Sequence, residues 1–493
     1  MTDSLRNTFE IAIIGTGFAG LGMGARLKRA GKDDLVILER ADEIGGTWRD
    51  NTYPGAACDV PSPLYSFSFR LNPEWTRLFS PGPEIHAYMK TVAREEGLIP
   101  HVRFNSPVAN AAWDVEAKVW RLDTPDGEVQ AKILITGTGH LADESLPSIP
   151  GLDRFSGQVF HSARWRHDAS LEGKRIGIVG SGASAIQIVP EVARLAGQVV
   201  VFQRSAPYII PRPDRAFTEA ERQMFRRDPS TMRKLRDDIF WMLENTFASR
   251  RSVPRYLAEN KRDALAHLAR QISDPALRAK LTPDYEIGCK RVLLSNDYYP
   301  TFLRDNVTLE NAALERVEGG TAVAASGARF DVDVLIFCTG FEAAIPPYAG
   351  LVCGADGRSL AEHWQSGMEA YASTTVNGFP NLFVLNGPNT SLGHNSTIYI
   401  IESQIEYVMD ALEWIDRTGG EPLEPLATEQ ARYSDQLQAS AADTVWLSQG
   451  CKSWYLDPRS RKLTLIWPSF AHDYRHRNGH FDPTGYVAES AQA

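Results

Sequence analysis

Residues 9–40 read FEIAIIGTGFAGLGMGARLKRAGKDDLVILER. The apolar run Ile11 to Ile14 has the character of a buried parallel strand. It runs into Gly15-Thr16-Gly17-Phe18-Ala19-Gly20, then a helix-like stretch, then a second apolar strand from Leu35 to Leu38 that ends at Glu39. This strand–glycine–helix–strand context is what gives a GxGxxG its meaning. Gly15 permits the tight turn, Gly17 lets a pyrophosphate approach the backbone, and Gly20 lets helix and strand pack closely. The helix N-terminus presents free N–H groups and the positive end of its dipole to phosphate, with Phe18 and Ala19 in its first turn. Glu39 is placed to accept hydrogen bonds from ribose hydroxyls.

The pattern occurs twice. Residues 174–205 read KRIGIVGSGASAIQIVPEVARLAGQVVVFQRS. Ile176 to Val179 and Val199 to Phe202 are the strands, and Gly180-Ser181-Gly182-Ala183-Ser184-Ala185 is the GxGxxA variant. Glu39 stands 24 residues after Gly15, and Arg204 stands 24 residues after Gly180. One structural position thus carries an acid in the first unit and a guanidinium in the second. An acid suits a free ribose 2′-hydroxyl, and an arginine suits a 2′-phosphate. The order implies an FAD unit followed by an NADPH unit, the pair a flavoprotein needs to pass a hydride from nicotinamide to isoalloxazine.

The remaining chain is read around these two units. Residues 131–139 (AKILITGTG) and 331–341 (DVDVLIFCTGF) are strands that break at glycines and return to a nucleotide site. The second unit lies between them and so reads as an insertion into the first. Expected divisions are 1–150 for the first part of the FAD-binding domain, 151–335 for the NADPH-binding domain, and 336–493 for the second part and C-terminal region. A helical insertion is expected over about 214–283. The fold class is α/β with two Rossmann-like dinucleotide-binding domains. Residues 204–281 hold 17 basic and 10 acidic residues, which reads as solvated helix faces in preference to a cofactor-attracting module.

Composition limits function. The chain has 493 residues, 43% hydrophobic and 23% charged, which excludes collagen-like, disordered and small disulfide-stapled classes. At about 150 residues per domain, two large domains or three smaller ones are expected. A net charge of −9 disfavours general nucleic-acid binding. The five cysteines (Cys58, Cys289, Cys338, Cys353, Cys451) form no CxxC, and this odd, sparse set points to a reducing compartment. The opening MTDSLRNTFE has no basic region followed by an apolar stretch, and no run of about 18 apolar residues exists, so a cytoplasmic protein without a membrane span is expected. His472, His476 and His480 follow i, i+4, i+8, but AHDYRHRNGHF, with its Asn-Gly and alternating aromatic and basic residues, argues against a helix, so no metal site is assigned.

Between the two units, Phe155-Ser-Gly157-Gln-Val-Phe-His161-Ser-Ala-Arg-Trp165 matches FxGxxxHxxxW, and the sequence there resembles Baeyer–Villiger monooxygenases, class B flavin-dependent enzymes that use FAD and NADPH. The match departs from the family after the tryptophan, where Arg166 replaces the usual Pro or Asp. Read alone, His161 is a hydrogen-bonded structural histidine; the resemblance implies that it sits in the interdomain linker and couples NADP binding to oxygenation.

The resemblance also implies roles for two further stretches. In Gly288-Cys289-Lys290-Arg291, Arg291 corresponds to the catalytic arginine, and Lys290 helps hold the NADP 2′-phosphate with Arg204 and Ser205. In GGTWRDNTYPGAACDV (45–60), Thr47 and Trp48 contact flavin and Asp59 approaches the arginine, with Tyr65 and Val108 at further FAD positions. Trp454 matches a tryptophan near the nicotinamide ribose, its alternative being a core aromatic. The chemistry implied is oxygenation of a small apolar ketone by O2 to an ester or lactone through an anionic C4a-peroxyflavin, with an arginine stabilising negative charge that it cannot quench by giving up a proton. N- or S-oxidation by a related flavin-containing monooxygenase and a non-catalytic flavin-binding redox sensor are the alternatives. A monomer or homodimer is expected; which ketone is used is not legible.

Overall fold

The computed structural model describes residues 6–448 and 450–486, so the first five residues, part of the stretch read for a leader, lie outside it. Thr8–Ile14 is central in the first sheet, parallel to Leu35–Leu38 on one side and to Gly127–Thr136 on the other. The strand order is Val352–Cys353, Asn110–Asp114, Val119–Thr124, Gly127–Thr136, Thr8–Ile14, Leu35–Leu38, Val102–Arg103, with Leu382–Val384 also paired to Gly127–Thr136. Every residue of Leu35–Leu38 is buried, as expected for a parallel strand covered on both faces. One cover is the helix Phe18–Arg29, packed on the long helix Thr397–Arg417.

The second sheet has five strands, all parallel, in the order Val307–Glu310, Gln198–Phe202, Arg175–Val179, Val334–Phe337, Gln158–His161. Its residues fall between strands of the first sheet, so the chain leaves the first sheet after Gly127–Thr136 and rejoins it at Val352–Cys353. The strand Val334–Phe337 belongs wholly to the second sheet, and the return comes beyond residue 337.

The basic stretch forms the helices Glu219–Arg227, Pro229–Glu244, Pro254–Gln271 and Pro275–Lys280. Three of them begin on proline, whose missing N–H falls where a helix has no intrahelical acceptor. Many of their charges form surface pairs such as Lys234–Asp238 and Arg255–Glu259. Arg236 is different: it is buried, donates to the carbonyls of Pro63, Leu64 and Ser66, and faces Glu402 at 3.4 Å, fastening the helices over the loop that leads to Tyr65.

The histidine-bearing segment corrects the expectation from sequence. Ala471–Asn478 is an α-helix, and the Asn-Gly pair ends it instead of preventing it. His472 Nδ1 meets Glu244 at 2.7 Å, whereas His480 lies past the helix end, exposed and 3.3 Å from Asp410. No cluster of three metal-ligating side chains occurs among the described residues.

Candidate active site

The first glycine turn opens a groove whose lining includes Gly15, Gly17, Phe18, Ala19, Glu39, Thr47, Trp48, Tyr65 and Val108. Gly20 lies beneath it, where a Cβ would stand 1.9 Å from the Gly15 carbonyl oxygen, so helix and turn meet only because that side chain is absent. Above Gly17 a Cβ would find nothing nearer than 4.0 Å, which leaves room for a phosphate over the helix N-terminus. Thr138, packed against Gly15 in the same lining, has a buried hydroxyl with no hydrogen-bond partner. Open space at Gly17, an orphaned hydroxyl and a buried acid fit a dinucleotide such as FAD.

Glu39 is buried and already engaged: Thr16 donates to it from backbone and hydroxyl, Ala41 donates its backbone N–H, and Arg49 pairs with it at 2.9 Å. Arg49 was not legible as a partner, although it directly follows Trp48 in the loop singled out from sequence. Trp48 donates its indole N–H to the Tyr65 hydroxyl at 3.2 Å, and the two rings meet edge to face. Asn386 and Thr397, hydrogen bonded to each other, close the groove from the C-terminal part; no spacing rule pointed to them.

In the second unit the helix Ala183–Val192 follows the strand Arg175–Val179, with Ser184 in its first turn. Gly180 has φ +119°, a conformation that favours glycine, and Gly182 faces open space. Arg204 ends the strand Gln198–Phe202 two residues on and is exposed, while Ser205 is fixed by its carbonyl accepting from Ser181 Oγ at 2.7 Å. Lys290 lies over the Tyr285 ring at 4.4 Å. Its pKa is lowered by burial and by the neighbouring Arg204 charge, so two cations are held together with no carboxylate paired to either among the described residues. That is the arrangement a 2′-phosphate needs.

The two units are joined by side chains. Gln187, on the helix of the second unit, donates to the Ala57 carbonyl and accepts from the Tyr53 hydroxyl, both at 2.9 Å. Two residues past Ala57 stands Asp59, whose carboxylate accepts from Arg291 Nε and Nη2 at 2.6 and 2.8 Å. Burial pushes the Asp59 carboxyl up, but the Arg291 guanidinium outweighs it and holds the group below its usual value. Asp59 in turn raises Arg291 well above the ordinary arginine range, against the effect of burial. The pair stays charged at any working pH.

The linker fingerprint is packed as tightly as its glycine requires. A Cβ at Gly157 would stand 2.2 Å from the Asp333 carbonyl oxygen and against the Phe155 ring. Trp165 meets Phe160 edge to face. His161 is buried; its Nδ1 accepts from the Ala163 N–H at 3.1 Å, and its Nε2 is buried with no partner. Burial lowers its pKa, so it is held neutral. Arg166, where the motif departs, pairs with Asp168 on the surface, so the departure leaves the linker core untouched.

Trp454 is 45% exposed, which removes the core-aromatic alternative; it lies against Tyr455 and 6.4 Å from His140. The cysteines depart from the sequence reading. Cys289, next to Lys290, is bonded to Cys451, three residues before Trp454, while Cys58, Cys338 and Cys353 are free. A disulfide does not accord with the reducing compartment inferred from cysteine count, and a separation of 162 residues left no trace in the sequence.

Residues 8–353 match the flavin-binding monooxygenase-like family model. A Baeyer–Villiger monooxygenase of Pseudomonas aeruginosa is 45% identical over 97% of this chain and 91% of its own. One of Streptomyces coelicolor is 46% identical over 97% of this chain and 92% of its own. The crystal structure of OTEMO in complex with FAD and NADP superposes with a TM-score of 0.84, at 26% identity, over 95% of this chain and 96% of that one. The chain belongs to the flavin-binding monooxygenase-like family and, within it, to the Baeyer–Villiger monooxygenases.

Proposed function

We propose that this protein is a Baeyer–Villiger monooxygenase that converts a ketone, O2, NADPH and a proton into an ester or lactone, NADP+ and water. The observation that carries the reading is the Asp59–Arg291 pair, a fixed cation one residue from Lys290 and joined to the loop that lines the flavin groove. Bound FAD supplies acceptance of hydride from NADPH and activation of O2.

The chain's own residues do the rest. Gly15, Gly17 and the helix N-terminus hold a pyrophosphate, with Glu39 directed to ribose and Thr47, Trp48, Tyr65 and Val108 shaping the groove beyond it. Gly180, Gly182, Ala183 and Ser184 do the same for the second nucleotide, whose 2′-phosphate is taken by Arg204, Ser205 and Lys290, and Trp454 covers its nicotinamide end. Arg291 places N–H donors where negative charge grows on the attacked carbonyl oxygen. It cannot give up a proton there, so it stabilises the anion without neutralising the attacking group. Asp59 uses two of the five guanidinium donors and fixes the plane of the rest. The substrate's hydrocarbon part is apolar.

The test is a ketone and sulfide panel with NADPH and FAD-loaded enzyme, with products identified by mass and retention. Esters from ketones support the reading. Sulfoxides alone would replace it with a soft-atom oxidase, and neither NADPH turnover nor product from any member of the panel would replace it with a redox sensor.

A further inference from the structure

Beside Arg291 lies a second guanidinium, that of Arg250, at the end of the short 3₁₀ helix Asn245–Arg250 within the helical insertion. Its side chain runs between two glycines. A Cβ at Gly288 would stand 3.6 Å from Arg250 Nη1, and one at Gly393 would stand 3.5 Å from Nε. Gly288 is three residues before Arg291, so Arg250 borders the same loop. The guanidinium donates to Ser249 Oγ and to the Gly393 carbonyl, both at 3.0 Å. Two of its five N–H groups are thereby used, and no carboxylate pairs with it among the described residues. Arg291, by contrast, is neutralised by Asp59.

Tyr455 completes the corner. It is 2% exposed, it lies within the influence of both Arg250 and Arg291, with Arg291 on the donor side of its oxygen, and its O–H has no acceptor among the described residues. A buried O–H without an acceptor is costly to leave so, and a ligand that accepts from it removes the cost. Burial, reinforced by Arg291, brings Arg250 down to about 10, which still leaves it charged at neutral pH. The cluster of Asp59, Arg291 and Arg250 therefore carries one positive charge in excess.

We propose that Arg250 and Tyr455 form an anion subsite beside the ketone position, and that it takes the carboxylate of an oxo-acid substrate whose carbonyl lies at Arg291. This rests on the Baeyer–Villiger reading and refines it: the substrate is an apolar chain that ends in a charge. Gly288 and Gly393 put no side chain against the guanidinium, and its remaining N–H groups make no hydrogen bond among the described residues. Arginine presents a fork that matches a carboxylate, and the Tyr455 hydroxyl adds a third donor.

The test uses FAD-loaded enzyme and NADPH with matched pairs, from 5-oxohexanoate with 2-hexanone to 10-oxoundecanoate with 2-undecanone. The quantity read is kcat/KM for the oxo acid divided by that for the neutral ketone. Charged hydrogen bonds of this kind are worth about 10- to 100-fold. For the best pair, Arg250→Gln is expected to lower the ratio by at least about tenfold, with Arg250→Lys in between. A ratio that stays within about threefold of wild type for every pair overturns the proposal, even if both rates fall together through damage to the fold. Binding of decanoate, followed by calorimetry, separates the two readings. If neither ketone class gives ester but decanoate binds wild type and not Arg250→Gln, the subsite stands and the reaction is misread. If esters form but decanoate binds both proteins alike, the reaction stands and the subsite falls.

Discussion

Arg291 and Asp59 share two hydrogen bonds, at 2.6 and 2.8 Å, across 232 residues of chain. The guanidinium comes from the segment that follows the helical insertion, and the carboxylate from the loop that lines the first nucleotide groove. Because the pair joins these segments, the position of the cation is set by both nucleotide units together. Gln187, bonded to Ala57 and Tyr53, ties the helix of the second unit to that same loop. Occupancy of the second site thus has a short covalent and hydrogen-bonded route to the residue that holds Arg291.

In the proposed function, coenzyme choice falls to Arg204. Removing a guanidinium that pairs with phosphate costs about 10- to 100-fold in binding. Arg204→Gln is expected to raise KM for NADPH by that factor and to change kcat/KM for NADH less than about threefold. Steady-state kinetics with both coenzymes check it; equal losses with NADPH and NADH would show that Arg204 does not meet the 2′-phosphate.

Gly157 is a packing requirement of the linker. Its Cβ would fall 2.2 Å from a backbone carbonyl, and an overpacked interior site costs about 1–3 kcal/mol. Urea unfolding of Gly157→Ala is expected to show a loss of this size; wild-type stability would mean that the linker yields readily.

The Cys289–Cys451 bond fastens the arginine segment to the loop that bears Trp454 and Tyr455. A bridge over so long a loop contributes about 2–4 kcal/mol. Cys451→Ser is expected to lower Tm, and to make Tm insensitive to dithiothreitol where wild type is sensitive. Wild type that melts identically with and without reductant would contradict it.

Glu244 sets a pH dependence. Burial pushes its carboxyl up, but hydrogen bonds from His394, His472 and Asn395, together with the charge of His394, pull it down to about 2. A folded pKa below the unfolded one gives stability that is complete above about pH 5 and fades as pH falls toward 2. Glu244→Gln is therefore expected to be less stable at pH 7 and to lose less than wild type between pH 5 and 3, as read by urea titration at each pH. Parallel losses would remove Glu244 from the acid limb.

Much of this was legible because local chemistry forces it. The apolar strands, the glycine turns and the opposed Glu39 and Arg204 are contained in two stretches of about 30 residues, where spacing alone gives geometry. What joins distant segments was not legible. Asp59 with Arg291 came only through family resemblance, and Cys289 with Cys451, Glu39 with Arg49, and Arg250 with Tyr455 depend on chain paths that no spacing encodes. The helix Ala471–Asn478 was misjudged from its Asn-Gly pair because Glu244, which anchors its N-terminus by accepting from the Ala471 N–H, lies 227 residues away.

The most direct test of the central claim is Arg291→Ala, assayed for two half-reactions in the FAD-loaded protein. Anaerobic bleaching of the flavin by NADPH is expected to persist, because Arg204, Lys290 and both glycine turns are intact, while ester formation from ketone under air falls below detection. A variant that still forms ester at the wild-type rate would contradict the account.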